Sequence, residues 1–206
     1  MSGEIQSAYL APEGLHEPLL KEVDGVIAVH GQLVLSSEPF INAHWAQNIW
    51  KNPVTLSIDS INDAAKKLKA IQLNWCLYSF TLHRRAKLIE EKLNPSKPKH
   101  MSFPTSLPSQ GIGSWCLLNE NTLLASANCS NPFRNGEPSF IEDKNGPPNR
   151  AYLKLYEALT LAEKTPKAGE FCLDFGGSPG GWAWVIHKCG AEVLSVDRSP
   201  LDEKIS

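Results

Sequence analysis

Apolar positions recur along this chain at two spacings, about two residues for strands and 3.6 for helices, and the switches between them predict its elements. Near the amino terminus AYLAP predicts a strand, EGLHEPLLKEV a helix, and VIAVHG with QLVLSSE two strands meeting near Gly31. TLSI then predicts a strand and DSINDAAKKLKAI a helix, capped by Asp59 or Ser60, whose Ile61, Ala64, Ala65 and Leu68 share one face. NWCLYSF reads as a strand, LHRRAKLIEEKL as a helix, and SWCLLN and TLLASAN as two β runs across a polar turn. The order is β-α-β-β followed by β-α-β-α-β-β, which suits small α+β sandwiches.

From Asn128 the pattern lapses into CSNPFRNGEPSFIEDKNGPPNR, a loop rich in Asn, Gly and Pro that marks a boundary. Beyond it AYLKLYEALTLAEKT has helical spacing at Leu153, Tyr156, Leu159 and Leu161, and Pro166 stops it. EFCLDFGG opens a continuous apolar strand, the mark of a parallel sheet buried on both faces. SPGGWAWVIHKCG predicts a helix ending at Gly190, and AEVLSVD the next strand. Strand, glycine turn, helix, strand is half of a Rossmann-type unit, so the chain combines an α+β region with the start of an α/β one.

Composition leaves this picture in place and narrows the setting. The 206 residues are 42% hydrophobic and 20% charged, with a formal charge of -2, which excludes intrinsic disorder and collagen-like character. No window approaches a membrane span and MSGEIQSAYLAPEGL is not a secretory signal, so a cytoplasmic protein with no membrane association is expected. Five cysteines with no CxxC pair fit reduced, mostly buried thiols. Six histidines show no metal spacing, so no metal is expected. Charge is uneven: residues 83–100 carry 6 basic and 2 acidic side chains, while the flanking stretches are net acidic. Arg84, Arg85, Lys87, Lys97 and Lys99 thus form a candidate phosphate-facing patch, against the plainer reading of a solvated helix and linker. Of the six tryptophans, Trp75 and Trp115 lie in apolar strand runs and are assigned to the core; Trp45 and Trp50 are ambiguous.

The chemistry concentrates in DFGGSPGGW, residues 174–182, at a strand-to-helix turn where backbone N–H groups and a helix N-terminus meet a ligand. A dinucleotide fingerprint would place glycines where Gly176, Ser178 and Gly181 stand, so only two match, and Pro179 removes a donor. Asp197, at the end of the next strand, can take the hydroxyls of an adenosine ribose. Ser178 lacks the G-x-S-x-G setting of a hydrolase nucleophile.

DFGGSPGGW resembles the D-L-G-x-x-P-G-G-W signature of FtsJ-like S-adenosylmethionine-dependent RNA 2′-O-ribose methyltransferases, and NRAYLKLYEA their S-R-x-x-x-K-L-x-E-A segment. Within that group the nearest pattern is the RlmM family, the 23S ribosomal RNA cytidine 2′-O-methyltransferases. YLAPEGLHEPLLKEV, ANCSNPFRNGEPSF and VLSVDRSPL also resemble parts of it. The resemblance implies a ferredoxin-like subdomain over 1–50, a THUMP-like RNA-binding domain over 51–130, and the N-terminal part of a Rossmann-like methyltransferase domain over 131–206. It implies S-adenosyl-L-methionine as cofactor and 23S-type ribosomal RNA as partner. Gly176, Ser178, Pro179, Gly180, Gly181 and Trp182 become the cofactor loop and Asp197 its ribose-binding acid. Ala151 stands where the family has a small polar residue, so any cofactor contact there is through backbone. Lys154 becomes the first lysine of the family's Lys-Asp-Lys-Glu catalytic set, although alone it would read as a solvated helix lysine. The other three members belong to strands past Ser206, so the chain is expected to be truncated and inactive by itself. A non-catalytic RNA-binding protein that keeps the loop, and a nucleotide-cofactor oxidoreductase, are the alternatives.

Overall fold

The structure is a computed structural model and describes residues 3–95 and 100–205. The chain divides into two compact units, Met1–Lys97 with Pro108–Glu137, and Pro98–Leu107 with Pro138–Ser206. Mixed helices and sheets build both.

In the first unit, β1 (Ser7–Leu10), β2 (Val26–His30), β3 (Leu33–Ser36), β4 (Asn48–Lys51) and β9 (Asn128–Cys129) form an antiparallel sheet in the order β2-β3-β1-β4-β9. Strand alternation splits its side chains: Tyr9, Val34 and Ile49 pack under Leu19 and Val23 of helix α1 (His16–Glu22) and its C-cap. Ala8, Leu10, Leu33, Leu35 and Trp50 face the other way, onto Cys116 and Leu124 of a second sheet. Both faces are covered, which is why all four residues of β1 are buried.

That second sheet runs β5 (Val54–Ser57), β8 (Thr122–Ser126), β7 (Gly113–Asn119), β6 (Trp75–Leu77), with only β6 and β7 parallel. Trp115, Leu117, Leu123 and Ala125 turn outward to helices α2 (Ile61–Ile71) and α3 (His83–Leu93), which supply Leu68, Ala86 and Ile89. Ser60 caps α2 by accepting the Asp63 N–H at 3.1 Å, while the Asp63 carboxylate accepts the Asp59 N–H at 3.1 Å. This reciprocal cap satisfies donors that a helix start would leave orphaned. The unit is therefore layered as helix, sheet, sheet, helices.

Three features depart from the sequence reading. The strand expected over NWCLYSF stops at Leu77, because Tyr78 turns its hydroxyl to accept the Gln32 N–H at 2.8 Å. Strand β4, over NIWK, carries no alternation long enough to announce it. The Asn-rich segment after Asn128 is a folded clasp rather than an open loop. Asn48, fully buried, accepts the Asn131 N–H at 3.2 Å, and Gln47 donates to the Asn135 carbonyl at 2.8 Å. Asn135 in turn donates to the Leu77 carbonyl at 3.0 Å, so amides stitch β4 to the end of β6.

The second unit pairs β10 (Phe171–Phe175) and β11 (Glu192–Val196) in parallel, with α4 (Tyr152–Leu161) and α5 (Gly181–Lys188) packed through Tyr152, Leu155, Tyr156, Val185 and Ile186. Phe103 stacks on Tyr156 with ring centroids 4.0 Å apart. The expectation that β10 is buried on both faces is not met. Phe171, Leu173 and Phe175 are 62%, 55% and 74% exposed, because among the described residues both helices cover only the side carrying Cys172 and Asp174.

All five cysteines are free, Cys76 and Cys116 buried and the other three partly so. Among the described residues no helix is long and apolar enough to cross a membrane, and no cluster of His, Cys, Asp or Glu could hold a metal ion.

Candidate functional site

The glycine turn of the second unit lies between the carboxyl end of β10 and the start of α5, and the carboxyl end of β11 delivers Asp197 beside it. The Ser178 N–H donates to Asp197 Oδ2 at 2.9 Å, and the Ser199 N–H to Oδ1 at 2.9 Å. These backbone donors, Ser199 first, hold the Asp197 carboxyl below the ordinary carboxylate range. Each oxygen keeps a further lone pair for a ligand hydroxyl.

The glycines serve three different needs. Gly176 has φ +78° and open space where a Cβ would stand, so the backbone there forms an uncovered ledge. At Gly177 a Cβ would lie 2.5 Å from Asp174 Oδ2. At Gly181 it would strike Asn149 Oδ1, so the missing side chain lets the start of α5 approach the segment before α4. Gly180, with φ +112°, has Ile205 2.9 Å from its would-be Cβ. The segment ending there lies along the loop: Ser178 Oγ donates to the Pro200 carbonyl and the Asp202 N–H to the Pro179 carbonyl, both at 2.9 Å. The free side of the loop is thus at Gly176, with Asp197 near it through Ser178.

Beneath the loop lies Asp174, 5% exposed, whose carboxylate receives one long hydrogen bond, from Ser195 Oγ at 3.4 Å. Burial first, and then the negative charge of Asp197, push its pKa up. The sequence reading passed over Asp174 as a site residue, although it opens the motif it singled out.

Trp182, 42% exposed, donates its indole N–H to the Ala151 carbonyl at 3.1 Å. Ala151 also gives its own N–H to Asn149 Oδ1 at 3.0 Å, so both of its backbone groups are engaged in joining the starts of α4 and α5. Lys154 is exposed on the first turn of α4, with no partner among the described residues.

In the first unit Arg84 and Lys87 project from α3 into solvent, and Arg85 is half-buried. Lys87 is bound to Glu90 at 2.7 Å, which cancels much of its field; Glu90 also faces Arg134 at 3.9 Å. Arg85 Nε is buried with no hydrogen-bond partner among the described residues. Lys97 and Lys99 lie outside the described residues.

Ribosomal RNA large subunit methyltransferase M of Xanthomonas axonopodis pv. citri is 31% identical to this chain over 154 residues, 70% of the chain and 40% of that protein. The protein of the same name from Alkalilimnicola ehrlichii is 36% identical over 88 residues, 40% of the chain and 24% of its own length. The chain resembles the RlmM family. A third relative of that name, from Halorhodospira halophila, is 39% identical over 74 residues, 33% of the chain and 22% of the relative. The chain spans between 22% and 40% of the length of these RlmM relatives. No protein-family model matches it.

Proposed function

We propose that this chain carries the cofactor loop and the RNA-docking region of an S-adenosylmethionine-dependent ribosomal RNA 2′-O-methyltransferase, acting on a cytidine of the large-subunit RNA. The observation that carries this is the joining of loop and acid, Ser178 N–H to Asp197, at the carboxyl ends of adjacent parallel strands. Ligands of open α/β sheets bind there. In this reading the second unit is the beginning of a Rossmann-like domain, and the first unit combines ferredoxin-like and THUMP-like parts.

The residues fit such a cofactor. The ledge at Gly176 is a cradle that a Cβ would fill, and the low-pKa Asp197 carboxylate is ionised at neutral pH and able to accept ribose hydroxyls. When bound, S-adenosylmethionine supplies a sulfonium methyl for transfer. The chain's own part is to hold and orient. Gly176, Ser178, Pro179, Gly180, Gly181 and Trp182 fix the loop, and the carbonyl of Ala151 anchors it through the Trp182 indole. Lys154 places an exposed cation on the neighbouring helix, suited to stabilising a ribose oxygen as it loses its proton. On α3, Arg84 and Arg85 meet RNA phosphates, with Lys87 weakened by its ion pair and Lys97 and Lys99 extending the basic run. Ribosomal RNA modification places the protein in the cytoplasm.

Calorimetric titration of the chain with S-adenosylmethionine and with NAD tests the reading. Saturable heat with the first and none with the second is expected, and Gly176→Val should abolish it. Binding of NAD in preference to S-adenosylmethionine would overturn the proposal.

A further inference from the structure

Two adjoining depressions on the outer helical layer of the first unit, of about 880 and 610 Å³, share Ile61, Arg85 and Leu88. Both are open depressions on the surface rather than enclosed cavities. Arg85, Leu88 and Lys92 recur at i, i+3 and i+7, so one flank of α3 makes a wall, and the start of α2 makes the other.

Charge in this groove is balanced. Arg84, Arg85 and Lys92 are matched by Asp59, Glu91 and Glu120, so the groove does not attract a phosphate as a cationic pocket would. Its floor is apolar, Leu88 being 40% exposed beside a half-buried Ile61. Its rim offers side-chain amides, from Asn62 and Asn94, with no partner among the described residues. An apolar floor edged by both donors and acceptors matches the flat face and hydrogen-bonding edge of a nucleobase. The same helical layer carries exposed Lys66, Lys69 and Arg84, which suit the phosphates on either side.

We propose that the α2–α3 groove receives one unpaired base of a single-stranded RNA segment, with Ile61 and Leu88 under its face and Asn62 and Asn94 at its edge. The proposal deepens the RNA-docking part of the reading above and rests on it. It places base discrimination in the first unit. Duplex RNA keeps its bases stacked and cannot fill the groove.

The test measures affinity of the whole chain for a short fluorescent oligoribonucleotide, alone and annealed to its complement, across a salt series. Single-stranded RNA should bind more tightly than the duplex. Leu88→Ser and Asn62→Ala, both at solvent-facing positions with little risk to folding, should each lower single-strand affinity about tenfold with an unchanged salt slope, whereas Arg84→Gln should flatten the slope. Equal affinity for both RNAs, or indifference to Leu88→Ser and Asn62→Ala while Arg84→Gln still weakens binding, overturns the groove and leaves the phosphate patch standing. Absence of any RNA binding overturns both, and the S-adenosylmethionine titration judges the cofactor loop independently.

Discussion

Replacing Gly177 by Ala asks whether the glycine turn is shaped by a close approach or by conformational freedom. Gly177 does not have the positive φ of its neighbours Gly176 and Gly180, so an alanine meets no backbone strain. It meets Asp174. The new Cβ would lie 2.5 Å from Asp174 Oδ2, 3.0 Å from its Cγ and 3.1 Å from Ser195 Oγ. The Asp174 carboxyl is 5% exposed and set opposite Ser195 in the β10–β11 register, so it has little room to retreat. Overpacking of this kind costs about 1–3 kcal/mol, which for a chain of this size lowers the melting temperature by roughly 2–4 °C per kcal/mol. Gly176→Ala supplies the contrast, because it adds left-handed strain of about 1–2 kcal/mol in open space. Urea unfolding of the single variants and of the double variants with Asp174→Ala separates the causes. Asp174→Ala removes the obstructing carboxyl, so it should rescue Gly177→Ala and leave the cost of Gly176→Ala untouched. Strict additivity of Gly177→Ala with Asp174→Ala would refute the reasoning.

Asp174 also predicts a pH dependence. Its raised folded pKa stabilises the fold below the ordinary carboxylate pKa, a contribution lost as pH rises through the raised value, and Asp174→Asn should remove that slope from urea midpoints measured across the acid range. Glu22 has the opposite sign. The His44 N–H, ahead of the Trp45 N–H, lowers its pKa, so its contribution is present above the ordinary glutamate value and lost as pH falls through the lowered one; Glu22→Gln should flatten that acid limb. Asn48→Ala should destabilise the first unit by about 1–3 kcal/mol in chemical denaturation, because it empties a fully buried site and strands the half-buried Asn131 N–H. Leu173→Ser with Phe175→Ser should reduce self-association seen by light scattering, since those side chains, 55% and 74% exposed, form a bare sheet face; unchanged scattering would clear that face of blame.

What the sequence disclosed follows the range of the forces involved. Helix α2 was legible down to its cap, because Ser60, Asp63 and the spacing of Ala64, Ala65 and Leu68 all act within a few residues. The glycine turn was legible for the same reason. Strand β4 was not, because its burial comes from β1 on one side and the clasp on the other, and Asn48 at its head is a polar residue made tolerable by Ser114 and Asn131, 66 and 83 positions away. The Asn-rich segment does contain the division between the two units, at Glu137 and Pro138, but its clasp was hidden because amides that will be hydrogen-bonded in a fold have the composition of amides left in water. Lys87 counted as a free cation until its side chain met Glu90, and nothing in the composition of α3 singles out the unpaired Nε of Arg85.

Asp197 shows why the chemistry of a site and the stability of its scaffold do not separate cleanly. In the sequence it was a carboxylate awaiting a ribose. In the structure it is already at work, accepting Ser178 N–H from the loop and Ser199 N–H from the turn that follows it. The turn in turn lies along the loop through Pro200 and Asp202. One carboxylate therefore fixes the shape of the loop while remaining exposed, so under the proposed function the geometry it offers a cofactor is set by folding. Preorganisation of this kind lowers the cost of binding because ordering has been met in folding. The same coupling ties any loss of affinity at Asp197 to a loss of loop order. Gly176 carries the same coupling: the space beside it is open, but with φ +78° any side chain placed there strains the loop as well as filling the ledge.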